Sequence, residues 1–339
     1  MKQRARVVCF GELLVRLSGA DGEQLLQSPS LRVHFGGAEA NVAVSLARFG
    51  HEPAMVSVVP PNALGAAAVA ELRRHGVDTA GIIEGPGRMG LYFVTPGAVS
   101  RPSAVLYDRS GSAFALAQPT AIDWRAALRG AQWLHVSGIA SALGERAAAA
   151  NQRAVAAAVE LGVAVSFDGN YREQLWAASG GDAPKLLRAM LATAQLAFVD
   201  DRDIALVLGT QFSGDALARR HAAAAAAFAA FPRLEAICST VRDVDSVQRQ
   251  KLGGVLLTRE RELISREHAL DGIVDRIGAG DAFVAGILHG RLAGLGEQST
   301  LELGVAAAVL KHSIRGDYNL VDLRDVEQLV AANGVDIRR

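Results

Sequence analysis

The chain has 339 residues, half of them hydrophobic and 5% aromatic, with 35 basic and 35 acidic side chains. That balance excludes the basic excess of a nucleic-acid or membrane-surface protein and suits a soluble α/β enzyme with alanine-rich helices. The length suffices to bury a large core, as one big domain or two smaller ones.

In chain order, the N-terminal MKQRARVVCFGEL has only the short apolar run VVCF, too little for a signal peptide. ARVVCF (5–10) reads as a buried strand, GGAEANVAVSLARFG (36–50) as a helix with two glycines at its mouth, and AMVSVV (54–59) as a second strand. ALGAAAVAELRRHG (63–76) is the next helix, closed by Gly76. Strand candidates follow at 132–138, 163–169, 196–200 and 236–240, with helical stretches at 145–161, 183–193 and 214–230 between them. Alternation of this kind predicts a three-layer α/β/α arrangement around a mainly parallel sheet, whose ligands bind beyond the carboxyl ends of the strands. The alanine run 221–231 is too short and too weakly apolar to span a membrane and reads as a surface or packing helix. Cys9 and Cys238 each lie in an apolar strand-like run, as reduced core thiols of a cytosolic protein would.

Three segments break the alternation. ELLVRLSG (12–19), MGLYFVTPG (89–97) and PSAVLYDRSG (102–111) read as short strands between Gly/Pro turns, with the two-faced pattern of a small antiparallel β lid. Leu14, Leu91, Phe93 and Leu106 on that lid have no obvious helix to cover them, which predicts a homodimer or larger assembly through paired lids.

Several motifs are excluded. GPGRMG (85–90) has the dinucleotide spacing, but Pro86 lies inside it and a strand-like LYFVT follows, so it is a turn. None of the four lysines ends a phosphate-binding GxxxxGK loop, and there is no HExxH or CxxC pair. The eight histidines are scattered and read as core or surface residues.

Four stretches carry chemistry. In DRIGAGDAF (275–283), Gly278, Ala279 and Gly280 precede Asp281 at the start of a helix whose apolar residues recur at helical spacing. An aspartate there can be a plain N-terminal residue, but small residues in front of it also let backbone amides close around an anion. In GGAEANVA, Gly36 and Gly37 would let a hydroxylated ligand approach the backbone, and Asn41 can donate and accept. In FDGNYREQLW (167–176), Arg172 could clamp a carboxylate or phosphate, or form a surface ion pair. In LYDRSGSAF, Tyr107 and Arg109 share one face of a strand and would grip an acidic sugar if turned into a cleft.

GGAEANVAVSLARFG and DRIGAGDAFVAG together resemble the two motifs of the ribokinase-like (PfkB) carbohydrate kinases, and the likeness covers nearly the whole chain. The resemblance implies a single kinase domain over 1–339, with lid excursions at about 12–35 and 88–114. It implies an anion hole at Gly278, Ala279 and Gly280, Asp281 as the base, and ATP and magnesium as cofactors. GELLVRLS, VSGIASALG, FDGNYREQLW and RGDYNLVD look most like the members that phosphorylate 2-keto-3-deoxygluconate. By that likeness Gly37, Tyr92, Tyr107, Arg109, Arg172 and Asp317 hold the sugar acid, and Asn170 and Arg172 lie near the phosphates. Two departures stand out. The T-x-G run usual in the family is STVRDVDS here, which keeps Thr240 for the nucleotide but has Arg242 in place of glycine. The magnesium-linked NxxE is DDRD, with Asp200 and Asp203 in its two positions. A kinase for a neutral sugar, or a catalytically silent sugar-binding protein on the same fold, are the rival readings.

Overall fold

The computed structural model describes residues 4–331 except 21, 99, 100 and 248. The first seven strands are β1 (Arg6–Phe10), β2 (Leu14–Ser18), β3 (Arg32–Gly36), β4 (Glu52–Val59), β5 (Asp78–Glu84), β6 (Gly90–Thr95) and β7 (Ala104–Asp108). The other seven are β8 (Trp133–Ser137), β9 (Ala164–Asp168), β10 (Leu196–Phe198), β11 (Ala236–Val244), β12 (Arg249–Thr258), β13 (Glu262–Ile264) and β14 (His268–Asp271).

Ten strands form one sheet in the order β13-β12-β11-β10-β9-β8-β1-β4-β5, with β14 also on β12. From β5 across to β11 all neighbours are parallel, and β12 turns the edge antiparallel. Both faces are covered, as the near-continuous apolar strands require. Along β1, Val8 and Phe10 enter one core cluster and Val7 and Cys9 the other, because side chains alternate across a strand. Helices Glu145–Glu160, Ala183–Leu191 and Ala216–Ala230 close the first face, and Ala38–Arg48, Ala279–Leu292 and Glu297–Lys311 the second. The alanine run packs as expected, with Ala223, Ala224, Ala227 and Phe228 buried. Cys9 and Cys238 are free, buried thiols. Burial pushes the Cys238 thiol up to about 12. No helix among the described residues is long and apolar enough to cross a membrane.

The chain leaves β1 towards β4 on one side and returns to β8 on the other, so the strand order reverses at β1. That reversal opens a crevice at the carboxyl ends of the strands. Four strands, β3-β2-β6-β7, form a second sheet over it. The lid differs from the antiparallel flap the sequence suggests: its central pair, β2 and β6, is parallel, and β3 is an additional strand. Parallel pairing follows because β2 and β6 each leave the main body in the same sense, after β1 and β5. Of the four apolar lid residues, Leu14 is buried, Leu91 packs on the second core cluster, and Leu106 is 61% exposed.

The lid is tied down by charge. Arg16 of β2 reaches Asp275 at 2.8 Å and Asp317 at 3.2 Å, with all three side chains at least nine-tenths buried. Tyr92 of β6 donates its hydroxyl to the same Asp317. Removing one partner of a buried ion group strands the others, at about 3–5 kcal/mol. Arg16→Leu is therefore expected to lower the unfolding free energy by about that amount in urea melts. A loss below about 1 kcal/mol would show that the tie is dispensable.

Candidate active site

Helix Ala279–Leu292 begins at the floor of the crevice with Gly278 as its N-cap, at φ 83°. Glycine is needed there twice over, since a Cβ would be strained and would lie 1.9 Å from the Asp317 carbonyl oxygen. The turn before it is pinned by Asp275, whose carboxylate accepts from the amides of Ile277 at 3.1 Å and Gly316 at 3.0 Å. Beneath the turn lies Lys311, fully buried, with Nζ donating to the Ile314 carbonyl at 2.9 Å. Burial lowers its pKa to about 8, while Asp275 and Asp317 pull the other way.

Of the three small residues expected to form an anion hole, Ala279 is buried and its amide turns back to the Arg276 carbonyl at 3.3 Å. Gly278 and Gly280 line the crevice. The first intrahelical bond runs from Ala282 to Gly278, so the amides of Gly280 and Asp281 precede it and face an anion's natural seat. Asp281 stands in this first turn and accepts from Asn41 Nδ2 at 2.6 Å. Burial pushes its carboxyl up to about 7, opposed by the Asn41 bond and reinforced by the charges of Glu39 and Asp317.

A cleft of about 500 Å³ opens above Asp281 under the lid. Gly37, Asn41, Tyr92, Tyr107, Arg109, Arg172 and Asp317 all line it, as expected, together with apolar Leu14, Val105 and Ile277. Tyr92 and Tyr107 are register partners on β6 and β7, with ring centroids 6.4 Å apart. Gly36 lies outside the cleft. It ends β3, where a Cβ would meet an Asp317 carboxylate oxygen at 2.2 Å, so it makes room for that acid rather than for a ligand. Arg109 is not a free cation: its Nε donates to buried Glu12 at 2.6 Å. Glu39, deeper still, accepts from the Ser137 hydroxyl and is raised by burial.

A second cleft of about 470 Å³ adjoins the first and shares Asp168, Asn170, Arg172, Arg242 and Gly280 with it. Asn170 holds a left-handed φ of 42° just past β9. Thr240, Asp200 and Asp203 line the second cleft and not the first. Asp200 and Asp203 form a reciprocal capping box on helix Asp201–Leu208, and Asp200 also pairs with Arg202 at 2.6 Å. Burial and the nearby Asp200 push Asp203 up to about 6. Asp168, at the end of β9, is raised well above the usual carboxylate range by burial and then by Asp281.

The arrangement is a carboxyl poised near neutrality at a helix N-terminus, between one cleft under a lid and another beside it. Sequence patterns had not singled out Glu12, Arg16, Glu39, Asp168 or Lys311. Only Asp168 had a usable signal, the rule that the residue ending a strand faces the ligand.

The pfkB family carbohydrate kinase profile matches residues 4–322. The chain belongs to that family. This kinase is 32% identical to the 2-dehydro-3-deoxygalactonokinase of Haloferax volcanii over 338 residues, 99% of each chain. It is 30% identical to a probable chloroplastic fructokinase-6 of Arabidopsis thaliana, over 83% of this chain and 69% of that one. The crystal structure of 2-dehydro-3-deoxygluconokinase from Thermotoga maritima superposes with a TM-score of 0.91 at 35% identity, covering 97% of this chain and 100% of that one.

The Asn41 bond stabilises the ionised form of Asp281, so its loss must raise that pKa further above about 7. In Asn41→Ala the Asp281 titration, followed by carboxyl carbon NMR, is expected to move up by about one unit, the equivalent of a charge-assisted hydrogen bond. A downward shift would mean that Asn41 is not the controlling donor.

Proposed function

We propose that this kinase transfers the terminal phosphate of ATP to the end hydroxyl of a 2-keto-3-deoxy sugar acid, 2-keto-3-deoxygluconate in the first place, giving 2-keto-3-deoxy-6-phosphogluconate. The observation that carries the reading is Asp281, a half-buried carboxyl at about 7, set among unbonded helix amides where the two clefts meet. Ionised, it takes the proton of the attacking hydroxyl. A base with a pKa near the working pH is both available and strong enough. The Gly280 and Asp281 amides, with Gly278, hold the charge on the moving phosphoryl group. Phosphoryl transfer needs mostly positioning and charge stabilisation of this kind.

Tyr92, Tyr107, Arg109 and Arg172, with Gly37 and Asn41, hold the sugar acid. The Glu12 bond fixes the plane of the Arg109 guanidinium, and its remaining donors face the substrate. The near full-length likeness to two kinases of keto-deoxy sugar acids supports an acidic substrate over a neutral one. The nucleotide occupies the second cleft, beside Asn170 and Thr240. The all-oxygen donor set there suits magnesium, which keeps most of its water and takes one or two carboxylates. Asp168 and Asp203, both raised first by burial, would hold the hydrated ion with Asp200 alongside. Bound there, magnesium would neutralise phosphate charge.

Exposed Val33 and Leu106 on the outer lid strands support pairing of two lids in a homo-oligomer. Light scattering at micromolar concentration is expected to give at least a dimer mass; a monomer sinks that assignment.

Asp281→Asn is expected to keep sugar-acid affinity and lose about 10²–10⁴-fold in kcat, the usual contribution of a general base. A variant retaining a tenth of the turnover would reduce Asp281 to a helix cap. In ADP-release assays over both keto-deoxy acid epimers, fructose and ribose, kcat/KM for the acid should lead by about a hundredfold, the scale of a charge-assisted bond in a closed site. Equal turnover of fructose would overturn the sugar-acid assignment.

A further inference from the structure

Three arginines line the seam of the clefts without an ion pair among the described residues: Arg172, which is exposed and donates to the Tyr171 carbonyl, and the half-buried Arg242 and Arg276. Arg16, Arg109, Arg202 and Arg219 each pair with an acid: Asp275 and Asp317, Glu12, Asp200 and Asp201 respectively. Arg242 of β11 and Arg276, just before the Gly278 turn, pair with none among the described residues. Arg242 donates only to the neutral Gln250 amide oxygen, at a long 3.4 Å. Both are half-buried, and each loses basicity to burial. Arg242 falls to about 10, with the positive charge of Arg276 adding to the effect of burial.

Two like charges, partly desolvated and lining the same cleft, are unfavourable unless something compensates. The compensating group must be an anion with more than one charge. Position narrows its chemistry. Arg242 lines both clefts, and Arg276 lines the first cleft alongside Gly278. Thr240, two residues before Arg242 on the same face of β11, lines the second. An anion touching both guanidinium groups lies across the junction, next to the helix amides, and not at the lid end of the sugar cleft.

We propose that Arg242 and Arg276 form a two-arginine clamp for the β- and γ-phosphates of the nucleoside triphosphate. This rests on the kinase reading above and adds to it the side chains that grip the phosphate chain. Planar guanidinium groups suit phosphate oxygens, which they can meet with paired donors. The clamp also gives Arg242 a role that its neighbours in the strand cannot fill, since β11 offers the junction no other cation.

The test is nucleotide binding without sugar, by calorimetry, with a non-hydrolysable ATP analogue, ADP and AMP. Arg242→Gln and Arg276→Gln are each expected to weaken the triphosphate analogue about ten- to a hundredfold and AMP less than about twofold. Arg242→Lys, which keeps charge but not the fork, should fall between. In nucleotide-free protein, either glutamine variant should raise the melting midpoint, because it removes one of two repelling charges; a structural arginine would lower it. Equal losses for AMP and the triphosphate, a lowered midpoint, or a loss of sugar-acid affinity alone would overturn the clamp. A wild-type protein that binds the sugar acid but none of the three nucleotides would instead overturn the kinase reading. Intact nucleotide binding by both variants would overturn only the arginine assignment.

Discussion

Arg16 carries the constraint on which the rest of the site depends. A guanidinium sealed from water must have its charge answered, and here two carboxylates answer it, Asp275 at 2.8 Å and Asp317 at 3.2 Å. Each acid then serves a second purpose. Asp275 gathers the amides of Ile277 and Gly316, fixing the turn from which helix Ala279–Leu292 starts. Asp317 receives Tyr92, so the lid's central parallel pair, β2 and β6, is fastened at one point. The closeness of Asp317 is also why positions 36 and 278 hold glycine. Lid position and helix start are thereby set by a single charged group.

Around that group the charges are layered. Glu12 and Glu39 are buried, while Asp168, Asp281, Arg172, Arg242 and Arg276 line the cleft itself. Acids crowded in a poorly solvated floor repel one another and resist ionisation, which is why Asp281 and Asp203 sit at about 7 and 6 rather than near 4. Asn41 offsets part of this for Asp281 alone. The result is a carboxyl whose ionisation is balanced near neutrality.

Much of this architecture was legible in the sequence because local rules govern it. The helices at 145–160, 183–191 and 216–230 begin and end within two residues of the helical stretches expected at 145–161, 183–193 and 214–230. The strand ends that line the clefts were equally readable. What was hidden depends on contacts far along the chain. The partner of Arg109 is Glu12, 97 residues away, and no spacing rule links a YDR strand to a GEL turn. The lid was read as antiparallel because each segment was judged alone, while the parallel pairing of β2 and β6 is fixed by where β1 and β5 deliver the chain. The antiparallel edge was missed because β12 carries Gly253 and Gly254, which blur its apolar alternation. Ala279 looked like part of an anion hole by composition, yet its amide closes the turn behind it.

The separation of Arg16 from Asp317 has a consequence for how the protein comes into being. The two are 301 residues apart, and β1, on which the sheet is centred, pairs with β8 more than 120 residues later. Chain topology dominated by such distant contacts folds slowly, since the loops must close before the contacts reward them. While the chain is being synthesised, Arg16 and Tyr92 emerge 301 and 225 residues before the acid they share. A nascent chain lacking residue 317 would keep the bond of Arg16 to Asp275 but not the bonds that Arg16 and Tyr92 make to Asp317. The lid's full tie therefore forms only after every strand of the main sheet has been made.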